Sequence, residues 1–239
     1  MPPAQLSKKF FNKVKIIILF IFLVLFFLNL FLFLENFFKI KEIEVNEKNI
    51  KIIGLDSLYG KNIIFLNEEK TVEKLIKNNP SIKNIVISRI LPAKLSLSLT
   101  FTHPLAQLVV DKGFFYLDDN GKIIEKSKNQ SVSLPFLNFY QKIYFDDYQP
   151  GQEIFFGEIK KSLYLLKKIN QMGLTIKHLD ISGNNVIVFN LENKKIIFDS
   201  LKDQQLQLYQ LGQIIKAFKI KGENYQEIDL RFDKPVVRF

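Results

Sequence analysis

The chain has 239 residues, 47% of them hydrophobic, and carries 34 basic against 24 acidic side chains, a formal net charge of +10. It has no cysteine, which excludes disulfides, thiol catalysis and cysteine-ligated metals. The lysines are scattered among Asn, Ile and Glu rather than clustered with stacking aromatic residues, so the positive charge does not indicate a nucleic-acid binder.

The most apolar segment is predicted to be a transmembrane helix. Residues 16–34 read IIILFIFLVLFFLNLFLFL, nineteen positions without a charge. At about 1.5 Å per residue, this length is close to the roughly 30 Å of a bilayer core. A cleaved signal peptide would have a shorter apolar stretch of about 7 to 15 residues, followed by small residues at a cleavage site. The sequence continues with ENFFKIKEI, which favours an uncleaved anchor.

The charges that flank this segment predict its orientation. Residues 1–15 carry Lys8, Lys9, Lys13 and Lys15 and no acid. Positively charged flanks stay on the cytoplasmic side. We therefore expect a cytoplasmic basic tail, with residues 35–239 outside the plasma membrane, where the remaining 30 basic and 24 acidic side chains form a solvated surface.

Residues 35–103 are predicted to form one module in the order strand, helix, helix, strand, strand. Its elements are a strand at 40–45, a helical turn at 55–58, a helix from the N-cap Asn67 to Asn79-Pro80, and strands at 81–90 and 95–101. The last of these strands alternates leucine with serine or threonine, the pattern of a strand with one buried face. The module is predicted to be a three-stranded sheet with helices on one face.

Residues 104–239 are predicted to form a mixed β domain with two helices. Its elements are strands at 105–110 and 113–118, a helix at 158–172, a hairpin of strands at 186–191 and 194–199, and a helix from near Ser200 to Gly222. SLKD at the start of the last helix approximates a capping box. The core-facing residues expected on that helix are Leu201, Leu208, Leu211, Ile215 and Phe218. The whole chain is predicted to be α+β with a single N-terminal transmembrane helix.

The last thirteen residues, EIDLRFDKPVVRF, are predicted to form a strand that changes phase. Ile228, Leu230 and Phe232 alternate with charged residues, so they are expected to face the core. After Asp233-Lys234-Pro235 the phase shifts, and the apolar positions become Val237 and Phe239. A terminal strand is often a sheet edge with unpaired backbone groups, so residues 236–239 are expected to form an edge.

No catalytic or metal-binding constellation is visible in the sequence. The two histidines, His103 and His178, are 75 residues apart and have no acidic cluster nearby. Asp118-Asp119 and Asp146-Asp147 lie beside turn residues, where local hydrogen bonding explains them. The motifs of serine hydrolases, β-lactamases and zinc peptidases are absent. The sequence therefore predicts a non-enzymatic protein without a metal, a cofactor or a small-molecule substrate.

Together, the basic tail, the transmembrane helix, the βααββ module and the domain that closes on IDLRF resemble the FtsQ/DivIB family of bacterial cell-division proteins. FKIKEIEV resembles the first strand of the family's POTRA module, and YGKNIIFLN the segment that enters its long helix. NNPSIKNIVISRILPAKLSLSLTFTHPLA resembles the run through two strands into the second domain, where YLDDNGKII resembles a hairpin. The resemblance identifies 35–103 as a POTRA domain and 104–239 as an FtsQ-type C-terminal β domain.

This resemblance implies a non-enzymatic, bitopic scaffold of the divisome that recruits and regulates septal cell-wall synthesis. The implied partners are FtsB/DivIC-like and FtsL-like bitopic coiled-coil proteins, and the implied location is the plasma membrane at the division septum. In the family, the FtsB-like partner adds a strand to the edge formed by the last strand of the second domain. Such β-augmentation takes its affinity from main-chain hydrogen bonds.

Carried over by motif, the partner-binding residues are Arg231, Phe232, Lys234, Val236, Val237 and Phe239. Two alternatives stay open. Phe232 either packs in the core, as its parity with Leu230 favours, or contacts the partner. Arg231 pairs either with an acidic residue of a partner or, within the sheet, with Asp229 or Asp233.

A POTRA-type chaperone or export component of the cell envelope is a second function that the sequence permits. That function is expected of proteins with several tandem POTRA modules, and this sequence predicts one. A membrane-tethered envelope enzyme is a third class, which the absence of catalytic motifs disfavours.

Overall fold

The computed structural model describes residues 4–47 and 50–239, so residues 1–3 of the predicted basic tail lie outside the described residues. The α-helices in the described part are α1 Ala4–Phe37, α2 Glu68–Asn78, α3 Gly157–Gln171 and α4 Gln204–Lys221, with 3₁₀ turns at Leu55–Leu58 and Phe145–Asp147. The strands are β1 Glu42–Val45, β2 Ile82–Ile90, β3 Lys94–Phe101, β4 Ala106–Val110, β5 Gly113–Leu117, β6 Ile123–Ser127, β7 Phe136–Phe139, β8 His178–Ser182, β9 Val186–Asn190, β10 Lys195–Asp199, β11 Glu227–Asp229 and β12 Val236–Arg238. The predicted α+β class is confirmed.

The N-terminal helix α1 contains a segment long and apolar enough to cross a membrane. This segment is Ile17–Phe37, 21 residues of which none is buried inside the protein. The amide side chain in the middle of the segment, Asn29, donates from Nδ2 to the carbonyl of Leu25 at 2.9 Å, so the helix itself accepts that donor. An apolar helix exposed all round is suited to a lipid environment. The predicted single transmembrane helix therefore has its counterpart in α1.

The first of two compact units comprises Met1–Asn78 and Asn84–Leu99. Its three-stranded sheet has the order β1–β3–β2, with β1 parallel to β3. The leucines of β3 that the alternation assigns to one face, Leu95, Leu97 and Leu99, are all buried. Asn67 caps α2, because its Oδ1 accepts the N–H of Lys70 at 2.9 Å.

The second unit comprises Asn79–Lys83 and Thr100–Phe239 and is built on a nine-stranded sheet. The strand order is β12–β11–β10–β9–β8–β7–β4–β5–β6. Its pairs are antiparallel except β4–β7, β7–β8 and β10–β11, which are parallel. One continuous core joins the sheet to α3 and α4, with Phe115, Phe189 and Phe198 fully buried. The last thirteen residues thus contribute two strands, β11 and β12, to this sheet.

The predicted start of α4 is wrong. The helix begins at Gln204, and its N-cap is Asp203, whose Oδ1 accepts the N–H groups of Gln205 at 2.8 Å and Leu206 at 3.3 Å. Ser200 lies in the preceding loop, where Asp199 Oδ1 accepts the N–H of Leu201 at 2.8 Å. This Asx turn delays the helix, and Leu201 is consequently exposed instead of facing the core. The predicted C-terminal cap is confirmed, since Gly222 has φ +68°.

Candidate partner-binding edge

Strand β12 forms one end of the nine-stranded sheet. It pairs with β11 on one side, and within the described part of the chain no strand pairs with its other side. The opposite end, β6, is covered where it starts: Ile123 donates to Gln152 and accepts from Gly151, each at 2.8 Å. Covered edges resist pairing with other chains, whereas open edges invite it. β12 therefore presents the open edge of this sheet.

The backbone of Val237 faces that open side. On either side of β11, the carbonyl of Gln226 accepts from Lys195 of β10 and the N–H of Leu230 donates to Ile197 of β10, each at 2.9 Å. Ile228 lies midway between these two residues and pairs with Ile196, so its backbone groups face β10. Val237 is the residue opposite Ile228. Opposed residues of an antiparallel pair alternate between hydrogen-bonded and non-hydrogen-bonded. Val237 is thus a non-hydrogen-bonded partner whose N–H and C=O point away from β11.

The side chains of β12 divide between two faces. Val237 packs on the core beside Ile228 and is half-buried, whereas Val236 and Arg238 on the other face are exposed. Phe239 lies beyond the strand, with its ring edge-on to Phe218 of α4 at 5.9 Å between centroids. Each face of the edge therefore carries at least one exposed apolar side chain, Val236 on one and Phe239 on the other.

A row of charges fixes the register of β12. Lys195, Glu227 and Arg238 are directly opposite one another on β10, β11 and β12. The carboxylate of Glu227 is buried and contacts Lys195 Nζ at 2.7 Å and Arg238 Nη1 at 3.2 Å. A slip by one residue would place a valine against this buried carboxylate, so the charge row holds the strand in one register.

A second buried acid, Asp229, shapes the turn between the two strands. Its carboxylate accepts from Arg231 Nε at 3.0 Å and Nη2 at 2.6 Å, and from the Arg231 backbone N–H at 3.0 Å. Burial alone would raise the pKa of the Asp229 carboxyl, but the hydrogen bonds from Arg231 outweigh it and hold the pKa below its ordinary value. In the free chain Arg231 therefore pairs with Asp229, which is one of the two alternatives left open by the sequence.

The turn after Asp229 carries Phe232 and Lys234 to the surface. The prediction that Phe232 shares the buried face of Leu230 is wrong: Leu230 is fully buried, but Phe232 is 53% exposed. The reason is that β11 ends at Asp229, so the alternation of a strand no longer applies. Phe232 lines a hollow of about 390 Å³ with Leu206 and Gln210 of α4. Gln210 Nε2 holds the turn by donating to the carbonyl of Asp233 at 3.2 Å.

The six residues named from the sequence thus fall into three places. Val236 and Val237 lie on the open edge with Phe239 just beyond it, Phe232 and Lys234 are exposed in the turn, and Arg231 is bound internally. Sequence reasoning missed Arg238, Glu227 and Phe218. The pair Glu227 and Arg238 could have been found in the sequence. Glu227 begins the first apolar stretch of the C-terminal segment and Arg238 ends the second, so a hairpin would place the acid opposite the base.

The predicted turn bonding is confirmed for Asp118, whose Oδ1 accepts the N–H groups of Asn120 and Lys122, each at 2.9 Å. It is wrong for Asp119 and Asp146, whose carboxylates pair with the distant lysines Lys167 and Lys112. Among the described residues, no group of three or more His, Cys, Asp or Glu side chains is placed to hold a metal ion.

No protein-family model matches the chain. It is similar to curated proteins named Cell division protein DivIB. The protein from Clostridium tetani is 29% identical over 215 residues, 84% of this chain and 79% of the relative. Two relatives from Clostridium botulinum are each 28% identical to this chain. The similarity covers 81% of this chain and 73% of the relative from the Loch Maree strain. It covers 82% of this chain and 77% of the relative from the Hall strain. These similarities extend over most of each chain, beyond any single motif. These similarities support the resemblance to the FtsQ/DivIB family of bacterial cell-division proteins that the sequence motifs indicate.

Proposed function

We propose that this cell-division protein is a non-enzymatic scaffold of the divisome that binds an FtsB/DivIC-like protein along the outer edge of β12. Together with an FtsL-like partner, the complex recruits and regulates septal cell-wall synthesis. The observation that supports the proposal is the outward-facing backbone of Val237 on a strand whose register is fixed by the charge row.

The edge offers both affinity and specificity to an added strand. The free N–H and C=O of Val237 supply main-chain hydrogen bonds, and the side chains on either face supply recognition. Val236 and Arg238 flank one face of the added strand, and Phe239 the other. The exposed Phe232 and Lys234 extend the proposed contact past the end of the strand toward the hollow beside α4.

We further propose a cytoplasmic N-terminus, with residues 35–239 outside the plasma membrane at the division septum. Residues 35–103 then form a POTRA domain, and residues 104–239 the FtsQ-type β domain that carries the edge. The four lysines before the apolar segment support the orientation. The elements of the first unit that follow α1 occur in the order strand, 3₁₀ turn, helix, strand, strand, and this order supports the domain assignment.

The substitution Val237→Pro tests the proposal, because proline removes the outward N–H while leaving the hydrogen bonds between β11 and β12 in place. The full-length variant should lose binding to the FtsB/DivIC-like protein of the same cell in a co-purification or surface-binding assay. Thermal unfolding should show that the second unit remains folded.

Val237→Ala is the matched control. It shortens the side chain more than proline does but keeps the N–H, so it should retain binding. The proposal is wrong if Val237→Pro binds the partner as tightly as the parent chain. It is equally wrong if Val237→Ala and Val237→Pro lose binding to the same extent, because side-chain packing would then explain the loss.

A further inference from the structure

The loop before α2 presents two large apolar side chains to the solvent. In residues 62–66, called the Phe65 loop, Phe65 is 79% exposed and Ile64 is 44% exposed. Adjacent exposed apolar side chains of this size mark contact with another molecule or with a membrane. No described residue of the first unit covers them.

Arg89 of β2 holds the Phe65 loop in one conformation. Its Nη1 donates to the carbonyl of Ile64 and its Nη2 to the carbonyl of Leu66, each at 2.9 Å, so the two bonds bracket Phe65. Arg89 is itself paired with Glu68 at 2.7 Å. Phe65 is therefore displayed by a fixed loop.

Backbone hydrogen bonds tie this loop to the end of the membrane helix. Ile63 donates to the carbonyl of Phe38 at 2.8 Å, and Phe38 donates to the carbonyl of Leu34 in α1 at 3.1 Å. Phe65 is two residues beyond Ile63, which is at most about 7 Å of extended chain. The headgroup region extends roughly 5–8 Å beyond each side of the hydrocarbon core. The Phe65 side chain is thus within reach of the headgroups around α1.

Glu68 at the start of α2 is paired with Arg89, and the side chains on one flank of the loop carry a net positive charge. A hollow of about 550 Å³ beside it is lined by Phe65, by Glu35 in the last turn of α1, and by Lys61, Lys70 and Lys74. Glu35 shows that this hollow lies at the level where the helix ends. Three ammonium groups against one carboxylate, placed around an exposed aromatic tip, suit a surface of anionic lipid.

We propose that the Phe65 loop is a second membrane contact of this protein. Ile64 and Phe65 insert among the headgroups of an anionic bilayer, and the three lysines lie against lipid phosphates. The inference rests on the proposed membrane-spanning role of α1 and is independent of the β12 edge. It holds the first unit to the membrane surface at two points, the exit of α1 and the Phe65 loop.

The absence of tryptophan from the chain makes a direct test possible. Full-length Phe65→Trp protein is reconstituted in phosphatidylglycerol–phosphatidylcholine vesicles. Its emission should shift to shorter wavelength than that of an exposed tryptophan, and brominated lipid should quench it. Phe155→Trp is the matched control, because Phe155 is 81% exposed and lies in the second unit. Its emission should stay long-wavelength and respond to iodide instead.

Two further experiments test the role of the lysines and the membrane-spanning role of α1. Lys70→Glu together with Lys74→Glu should reduce the lipid quenching of the Phe65→Trp protein in anionic vesicles. Leu25→Trp, in the middle of α1, must be quenched by brominated lipid if the helix spans the bilayer; if it is not, the membrane helix is wrong and the inference fails with it. If Leu25→Trp is quenched while Phe65→Trp responds to iodide as Phe155→Trp does, only the loop contact is overturned.

Discussion

The carboxylate of Asp229 accepts hydrogen bonds from three N–H groups of Arg231 within a buried site. Asp229→Asn removes the charge while keeping the shape of the side chain. We expect this variant to lose about 1–3 kcal/mol in its free energy of unfolding at neutral pH, because charge-assisted bonds are lost in a buried position. Chemical denaturation measures the loss. Asp233→Asn is the control, since Asp233 is fully exposed and should change stability little.

The contribution of Asp229 to the stability of the fold should decrease at acidic pH. Its pKa in the folded protein is lower than the value of about 3.9 expected in the unfolded chain. The ionised carboxylate therefore stabilises the fold above about pH 4, and this contribution is lost as the pH falls through the folded pKa. The stability difference between the parent and Asp229→Asn should accordingly shrink on acidification. A difference that grows below pH 4 would contradict the assigned direction.

Leu230 and Phe232 are two residues apart, so a continuous strand would place both side chains on one face. In the structure Leu230 is buried and Phe232 is exposed. Leu230→Ala should destabilise the second unit by about 2–5 kcal/mol, as expected for a buried leucine. Phe232→Ala should change the free energy of unfolding by no more than about 0.5 kcal/mol. Thermal or denaturant unfolding compares the two variants directly. Equal losses would mean that Phe232 is a core residue after all.

At the scale of elements, the charge row on β10, β11 and β12 is expected to hold the terminal strand in place. Glu227→Gln leaves Lys195 and Arg238 without their shared buried carboxylate. We expect a loss of about 1–3 kcal/mol in stability. Hydrogen exchange should also become faster in β12 than in β9, which is paired on both sides. Unchanged exchange in β12 would show that the register is set by the apolar contacts alone.

Much of the element pattern could be predicted because it is local. The alternation in β3, the Asn67 cap of α2 and the Gly222 cap of α4 each depend on a few neighbouring residues. The strands β7 and β8 were missed, since each is short and pairs in parallel with a strand distant in sequence. No periodicity within four or five residues specifies such a pairing.

The candidate site was only partly predictable for the same reason. The sequence predicts one terminal strand with a phase shift at Asp233-Lys234-Pro235, and this prediction is wrong: the chain reverses there, so β11 and β12 are two antiparallel strands. The burial of Asp229 could not be read from its alternation with apolar residues, because it depends on Arg231 folding back two residues later. The commitment of Arg231 to its own chain is likewise a property of the turn.

At the scale of the whole molecule, fusions to the C-terminus measure the proposed orientation and location. A periplasmic-type reporter fused after Phe239 should be active if the bulk of the chain is outside the membrane, and should lose activity when the four N-terminal lysines are replaced by glutamate. A fluorescent fusion should form a band at mid-cell. A uniform signal around the envelope would favour the chaperone or export alternative.

The most direct test of the central claim is the exchange rate of the Val237 amide hydrogen, with and without the FtsB/DivIC-like partner. In the free full-length protein, this outward N–H should exchange rapidly. With the partner bound, it should be strongly protected, while the Lys126 amide on the opposite edge strand β6 stays unchanged. Complex formation without protection of Val237 would contradict strand addition at β12.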